Sequence, residues 1–284
     1  MRKMRNIAVL FVLVAMAMGA AGQAFAAAKS AAVPSAKSAT VSPVIDRIMA
    51  KKELVVGTAA SMPPLNMTTK DSQIVGMEVD LARVFAAGME VKLTLKPMPF
   101  NDLLPALEAG KVDMVLSGMT MTPVRNLKVA FAGPYFDSGK SILVKKANAA
   151  SMGTIAQMNN PDKTLVALKG STSQRFVEKL MPQAKLLLAD DYNQAVSMVR
   201  SDKAAAMVAD FPICILSVVR FPEADLVTLD KPLTYEPIGV ALHPSDQLLV
   251  NWVQNVINTL QKGGEMQMLI QRWFKESDWI KQLP

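Results

Sequence analysis

Cysteine is almost missing from this chain. Cys214 is the only one among 284 residues, so no internal disulfide can form and stability has to come from a buried core. Histidine is equally scarce: His243 stands alone beside Pro244, where an exposed turn residue is the ordinary reading. One imidazole and one thiol make no metal-ligand cluster, and no serine or cysteine motif gives His243 a nucleophile to activate. Neither a metal nor a cofactor is therefore expected. Aromatic residues make up only 6% of the chain, and its basic side chains are spread singly, so the basic stripe with interleaved aromatics that nucleic-acid binding requires is absent. The Gly133–Ser141 stretch superficially resembles a phosphate-binding loop. It has one residue too many between its glycines and leads into an apolar strand pattern, not a helix.

What is present begins with a secretory signal. Arg2, Lys3 and Arg5 precede an apolar run from Ile7 to Ala17, and Ala24-Phe25-Ala26 follows as a small-x-small cleavage site. The run is shorter than the roughly 20 residues needed to span a bilayer. Residues 1–26 are thus expected to be removed, leaving a soluble protein in the periplasm. Loss of Arg2, Lys3 and Arg5 lowers the formal net charge from +7 to +4, a mildly basic balance suited to a solvated surface. Residues 27–43, rich in Ala, Ser, Lys, Val and Pro without an apolar period, read as a flexible tether.

Beyond the tether, short Val/Leu-rich runs alternate with helical patterns, which predicts an α/β fold built on mainly parallel sheets. Strands are expected at Leu54–Thr58, Val91–Leu95 and Val112–Ser117. Between them lie helices carrying Leu81, Val84 and Phe85, and then Phe100, Leu103, Leu104 and Leu107. The cycle restarts with strands at Leu165–Leu168, Leu186–Leu188 and Ala204–Val208, separated by helices through Phe176–Leu180 and Ala195–Val199. Two βαβαβ cycles imply two lobes. The extended apolar runs Ser141–Lys146 and Ile238–Leu242 predict two crossings between them, with lobe 1 at 44–141 and 238–284 and lobe 2 at 142–237. The helical segments Asp246–Leu260 and Glu265–Phe274 are expected to pack back on lobe 1.

Thr122-Pro123 reads as an N-cap followed by proline at the first helical position, placing Arg125 in a first turn just beyond a strand's C-terminal end. Open α/β sheets bind ligands there, and a guanidinium can grip a carboxylate through two parallel hydrogen bonds. Local sequence alone favours a solvated or surface-paired arginine.

The run Gly110-Lys-Val-Asp-Met-Val-Leu-Ser-Gly-Met-Thr-Met-Thr-Pro-Val-Arg125 changes that balance. Together with Pro64, Gly76–Leu81, Phe131–Tyr135, Lys169–Thr172 and Ala209-Asp210, in order over about residues 44–276, it resembles bacterial extracellular solute-binding proteins of family 3. These are the polar amino-acid receptors of ABC importers. The resemblance implies a type II periplasmic binding-protein fold that closes over its solute like a flytrap, working as a monomer with a membrane permease.

By the same resemblance, Thr120 and Arg125 meet a ligand's α-carboxylate and the backbone of Ser117 and Gly118 receives the α-ammonium. From the second lobe, Ser171 and Thr172 offer a helix N-terminus to the carboxylate and Asp210 balances the ammonium. Asp210 also reads as the N-cap of a helix beginning at Phe211-Pro212, and the two roles are compatible. Met62, Phe100 and Met119 complete the expected pocket. The chain departs from the family pattern at Met62 and Leu65, where aromatics are usual, at Gly118 and Met119, and at Ala205, where Asp is common. The resulting pocket is soft and little charged, which points to a ligand with a neutral side chain.

Two rivals share this architecture. A periplasmic cyclohexadienyl or arogenate dehydratase needs a general acid, for which Glu78 and Glu178 are available, although both read equally well as helix-surface acids. A ligand-sensing receptor for a membrane kinase would differ only in its partner.

Overall fold

The structure is a computed structural model that describes residues 42–284. The signal segment and the tether as far as Val41 lie outside the described residues. Ser42 and Pro43 differ from the tether expected there: Ser42 is buried and Pro43 is the first residue of helix α1 (Pro43–Lys51). Proline suits this position because its missing N–H would have had no helical partner.

From α1 the chain enters β1 (Glu53–Thr58), then a small antiparallel sheet of β2 (Ser61–Met62), β3 (Asn66–Thr68) and β4 (Ile74–Val75). Helix α2 (Met77–Gly88), β5 (Lys92–Pro97), α3 (Leu103–Glu108) and β6 (Met114–Val115) follow. The short helix α4 (Pro123–Asn126) leads into the long strand β7 (Ala130–Ser138), which continues through Gly139 into β8 (Lys140–Lys145). The second half comprises α5 (Ile155–Met158), β9 (Thr164–Leu168), α6 (Thr172–Leu180), β10 (Lys185–Ala189), α7 (Tyr192–Arg200), β11 (Ala206–Asp210), α8 (Phe211–Arg220) and β12 (Leu226–Thr228). The chain then returns through β13 (Glu236–Leu242), α9 (Gln247–Gly263) and α10 (Glu265–Ile270).

Two five-stranded sheets result, ordered β5-β1-β6-β13-β7 and β10-β9-β11-β8-β12. In each, four strands run the same way and the fifth, β13 or β8, runs against them, so a mainly parallel sheet is made mixed by one reversed strand. The reason is connectivity. Parallel neighbours need a crossover, usually helical, whereas β8 and β13 arrive directly from the other lobe and run against the strands they join.

The β run expected at Val112–Ser117 pairs only at Met114 and Val115, because Leu116 onward turns toward the cleft. Pro63 and Pro64, which cannot donate to a sheet, form the turn between β2 and β3.

Each lobe buries its own core. Phe85, Leu81, Met77, Trp273 and Ile257 lie in that of the first, while Leu165, Val177, Met158 and Val208 form the second. Each such side chain contributes roughly 1.5–3 kcal/mol of transfer free energy when fully buried. Helix α9 presents Leu249, Val253 and Ile257 at four-residue spacing to the first of these cores. Its cap, Asp246, accepts from Leu249 N at 2.9 Å and from Val44 N and Ile45 N at 3.0 Å, tying α1 to α9.

The crossings between sheets lie at Gly139 and at residues 229–235, and they touch. A Cβ on Gly139 would stand 1.9 Å from Thr234 O, so only glycine lets the two passes approach this closely. Lys140 N donates to Thr234 Oγ1 at 2.9 Å and Leu233 N to Lys140 O at 2.7 Å.

Candidate binding site

Thr122 accepts from Arg125 N at 3.2 Å and Pro123 occupies the first helical position, as the local sequence requires. This one-turn helix aims Arg125 into the space between the lobes, where its guanidinium lies 5.6 Å from the Phe100 ring centroid. One guanidinium nitrogen donates to Thr120 O at 3.0 Å and the other to Gly170 O, across the cleft, at 3.2 Å. Burial and the nearby Arg175 lower its pKa to about 10, partly offset by Asp210 and Glu236, so it stays cationic at neutral pH.

Segment 119–121 runs alongside β13: Gly239 N donates to Met119 O at 3.1 Å and Met121 N to Pro237 O at 2.8 Å. That pairing carries Thr120 to the cleft. From the opposite lobe, Ser171 caps α6, accepting from Gln174 N at 3.1 Å and donating to Leu168 O at 2.6 Å. Both contacts are local, so the Ser171 hydroxyl shapes the helix start and is not turned to the cleft. Thr172, one residue on, brings its hydroxyl 3.5 Å from that of Thr120.

Ser117 Oγ accepts from Ala59 N at 2.9 Å and donates to Met62 Sδ at 3.7 Å. Gly118, with φ of 56°, holds a left-handed turn, and a Cβ there would meet Met62 Cε at 2.5 Å. Met62 thus packs beneath the Gly118 turn, while Met119 is buried in the core between the lobes.

Asp210 does not cap α8 through its side chain. Its Oδ1 accepts from Lys140 Nζ at 2.6 Å, and Oδ2 from Tyr192 OH at 3.4 Å. Burial and the adjacent carboxylate push the Tyr192 phenol well above its ordinary value, keeping it a proton donor. Of the ten site residues expected from sequence, the structure brings Phe100, Thr120, Arg125, Thr172 and Asp210 together, with Ser117, Gly118, Met62 and Met119 forming the floor behind them.

Two further residues lie in the middle. Glu236 Oε2 accepts from Thr120 Oγ1 at 2.9 Å, Thr172 Oγ1 at 2.8 Å and Lys140 Nζ at 2.8 Å. Lys140 itself is 1% exposed. Sequence reasoning missed both, because a charge at the start of an apolar strand is ordinarily a solvated end. Glu78 corrects another expectation. It is not a surface acid but is buried, accepting from Gly118 N and Asn66 Nδ2 at 2.6 Å each and from Tyr135 OH. Desolvation raises its pKa, against the lowering effect of those three donors. Glu178 is exposed and accepts from Gln174.

Beside the site a cavity of about 330 Å³ is lined by Ala59, Ser61, Met98 and Phe100 from one lobe and by Asp190, Asp191 and Asn193 from the other. Among the described residues no group of three or more His, Cys, Asp or Glu side chains is placed to hold a metal ion, and no helix is long and apolar enough to cross a membrane.

Residues 54–276 match the bacterial extracellular solute-binding proteins, family 3. The chain belongs to that family. Among relatives of this family 3 protein, ABC transporter arginine-binding protein 1 of Escherichia coli is 24% identical over 230 residues, covering 80% of this chain and 93% of the relative. A mutant of the arginine-binding protein ArgBP from T. maritima superposes with a TM-score of 0.78 at 33% identity, covering 82% of this chain and all of the other. An ancestral amino acid-binding protein described as a precursor of cyclohexadienyl dehydratase gives a TM-score of 0.75 at 36% identity, covering 81% and 99%. The two-lobed type II binding-protein fold follows from both superpositions.

Proposed function

We propose that this chain is a periplasmic receptor that captures an amino acid or similar small zwitterion by lobe closure and delivers it to an ABC importer permease. Export follows cleavage of the signal segment near Ala26, and the lobes that close are 44–141 with 238–284 and 142–237. The reading rests chiefly on one observation: Arg125 and Thr120 from one lobe face Gly170 and Thr172 from the other across the cleft, with the hydroxyls of both threonines turned to one carboxylate. Thr120, Arg125 and Thr172 are the seat of the solute's carboxylate; Asp210, with the backbone at Ser117 and Gly118, is the seat of its ammonium. Phe100, Met62 and Met119 line the rest, and nothing they offer selects a charged side chain. The arginine-binding relatives make a cationic amino acid the informative competitor in any panel.

Dehydration of a cyclic precursor draws less support. Glu78 is sealed beneath Gly118, Glu178 faces solvent, and Asp210 and Glu236 are both engaged by Lys140. Turnover of prephenate or arogenate by the purified protein would replace the receptor reading.

The deciding experiment is mass spectrometry of the small molecule released on denaturation, followed by calorimetry with that compound as the monomeric protein binds it. Arg125→Ala is expected to weaken binding by roughly 2–5 kcal/mol, because it leaves a buried carboxylate without its charged partner. An affinity within threefold of wild type would remove Arg125 from the site.

A further inference from the structure

Lys140 and Glu236 reach the cleft from the two crossings, one immediately after Gly139 and the other at the start of β13. Their charged ends are not spread at random. The Glu236 carboxylate takes hydrogen bonds from Thr120 and Thr172, the two hydroxyls assigned to a solute's carboxylate. The Lys140 ammonium bonds Asp210, the group assigned to a solute's ammonium, and bridges to Glu236. Carboxylate and ammonium thus stand side by side in buried seats, arranged as a zwitterion.

We propose that Lys140 and Glu236 form a built-in pseudo-ligand, which occupies the carboxylate and ammonium seats of the ligand-free closed form and is displaced when a solute enters. The proposal rests on the receptor reading above for the identity of the seats. The physical reason is desolvation. Closed lobes with Thr120, Thr172 and Asp210 unpartnered would bury polar groups without hydrogen bonds, at a cost that drives such a cleft open. The pair removes that cost. Charge is balanced as well, since Lys140 and Arg125 face Asp210 and Glu236, and an incoming zwitterion leaves the balance unchanged. A purely anionic or purely cationic solute displaces only half of the pair and leaves the other half uncompensated.

Two measurements test this. Small-angle X-ray scattering of the wild-type chain, stripped of ligand by unfolding and refolding, is expected to give the radius of gyration of the closed form, whereas Glu236→Gln expands. Calorimetry with the amino acid that the wild type binds is expected to show Glu236→Gln binding about tenfold more tightly, because the competing closed state no longer reduces the fraction of receptor with free seats. The scattering arm needs only the wild-type chain, so a poorly folding variant does not remove the test. Weaker or unchanged binding by Glu236→Gln overturns the proposal, the weaker case making Glu236 a direct ligand contact. A wild type that binds an amino acid yet is open without it removes the pseudo-ligand and keeps the receptor. A wild type closed without ligand that binds no amino acid removes the receptor reading and, with it, the displacement step, while supporting closure by the pair.

Discussion

Arg125 keeps its charge in a buried place by spending hydrogen bonds on carbonyls of both lobes instead of on a carboxylate. Two of its five N–H groups reach Thr120 O and Gly170 O, and its face lies over Phe100. Burial acts in the opposite sense on Cys214, whose thiol is pushed up to about 12 from its ordinary 9.0. Between those values the unfolded chain has lost the proton and the folded chain has kept it. The folded state therefore binds more protons, so this contribution is present in full below pH 9 and declines as pH rises through the window, by about 1.4 kcal/mol per pH unit. Thermal melts from pH 8 to 10.5 should fall more steeply for wild type than for Cys214→Ala. Equal slopes would mean that the thiol titrates normally.

The residues around Arg125 were legible in sequence because capping is local: Thr122 and Pro123 fix a helix start whatever surrounds them. Lys140 was not legible, since a lysine opening an apolar strand is ordinarily a solvated end. Only the convergence of two crossings buries it.

At the scale of elements, α2 acts as the support for the Gly118 turn. Its period places Glu78 on the same stripe as Leu81 and Phe85, three and seven residues on, which is the signal that separates a buried acid from a surface one. Reading Glu78 as a helix-surface acid concealed it. Glu78→Ala would leave Gly118 N, Tyr135 OH and Asn66 Nδ2 without an acceptor and should cost about 3 kcal/mol in urea denaturation. Glu78→Gln keeps an acceptor in place and removes a charge that burial already disfavours, so its cost should stay within about 1 kcal/mol. Equal losses for the two variants would show that the Glu78 charge itself holds the turn.

The expected short strands and amphipathic helices were found within a few residues because their periods of 2 and 3.6 are written into the chain. Antiparallel pairing of β8 and β13 was not, since strand direction in a sheet depends on the route by which the chain arrives.

Over the whole molecule, closure is a steric fit as well as an electrostatic one. Gly170, with φ of 76°, faces Asn101 across the cleft, and a Cβ on it would come within 2.9 Å of Asn101 Cβ. Gly170→Ala should wedge the lobes apart. Binding is expected to weaken by about tenfold or more, while the unliganded melting temperature falls by only about 2–4 °C from left-handed backbone strain. An unchanged Kd would mean that ligand is held without the 101–170 contact.

The amino-acid sequence by itself determined the two-cycle α/β plan, the family and the arginine with its cap, because propensity, periodicity and capping act over a few residues and family motifs are read in register. Tertiary structure alone decided which charges share the cleft. Lys140, Asp210 and Glu236 are 70 and 26 residues apart in the chain and meet only because both crossings pass between the lobes, where exclusion of water obliges each buried charge to find a partner.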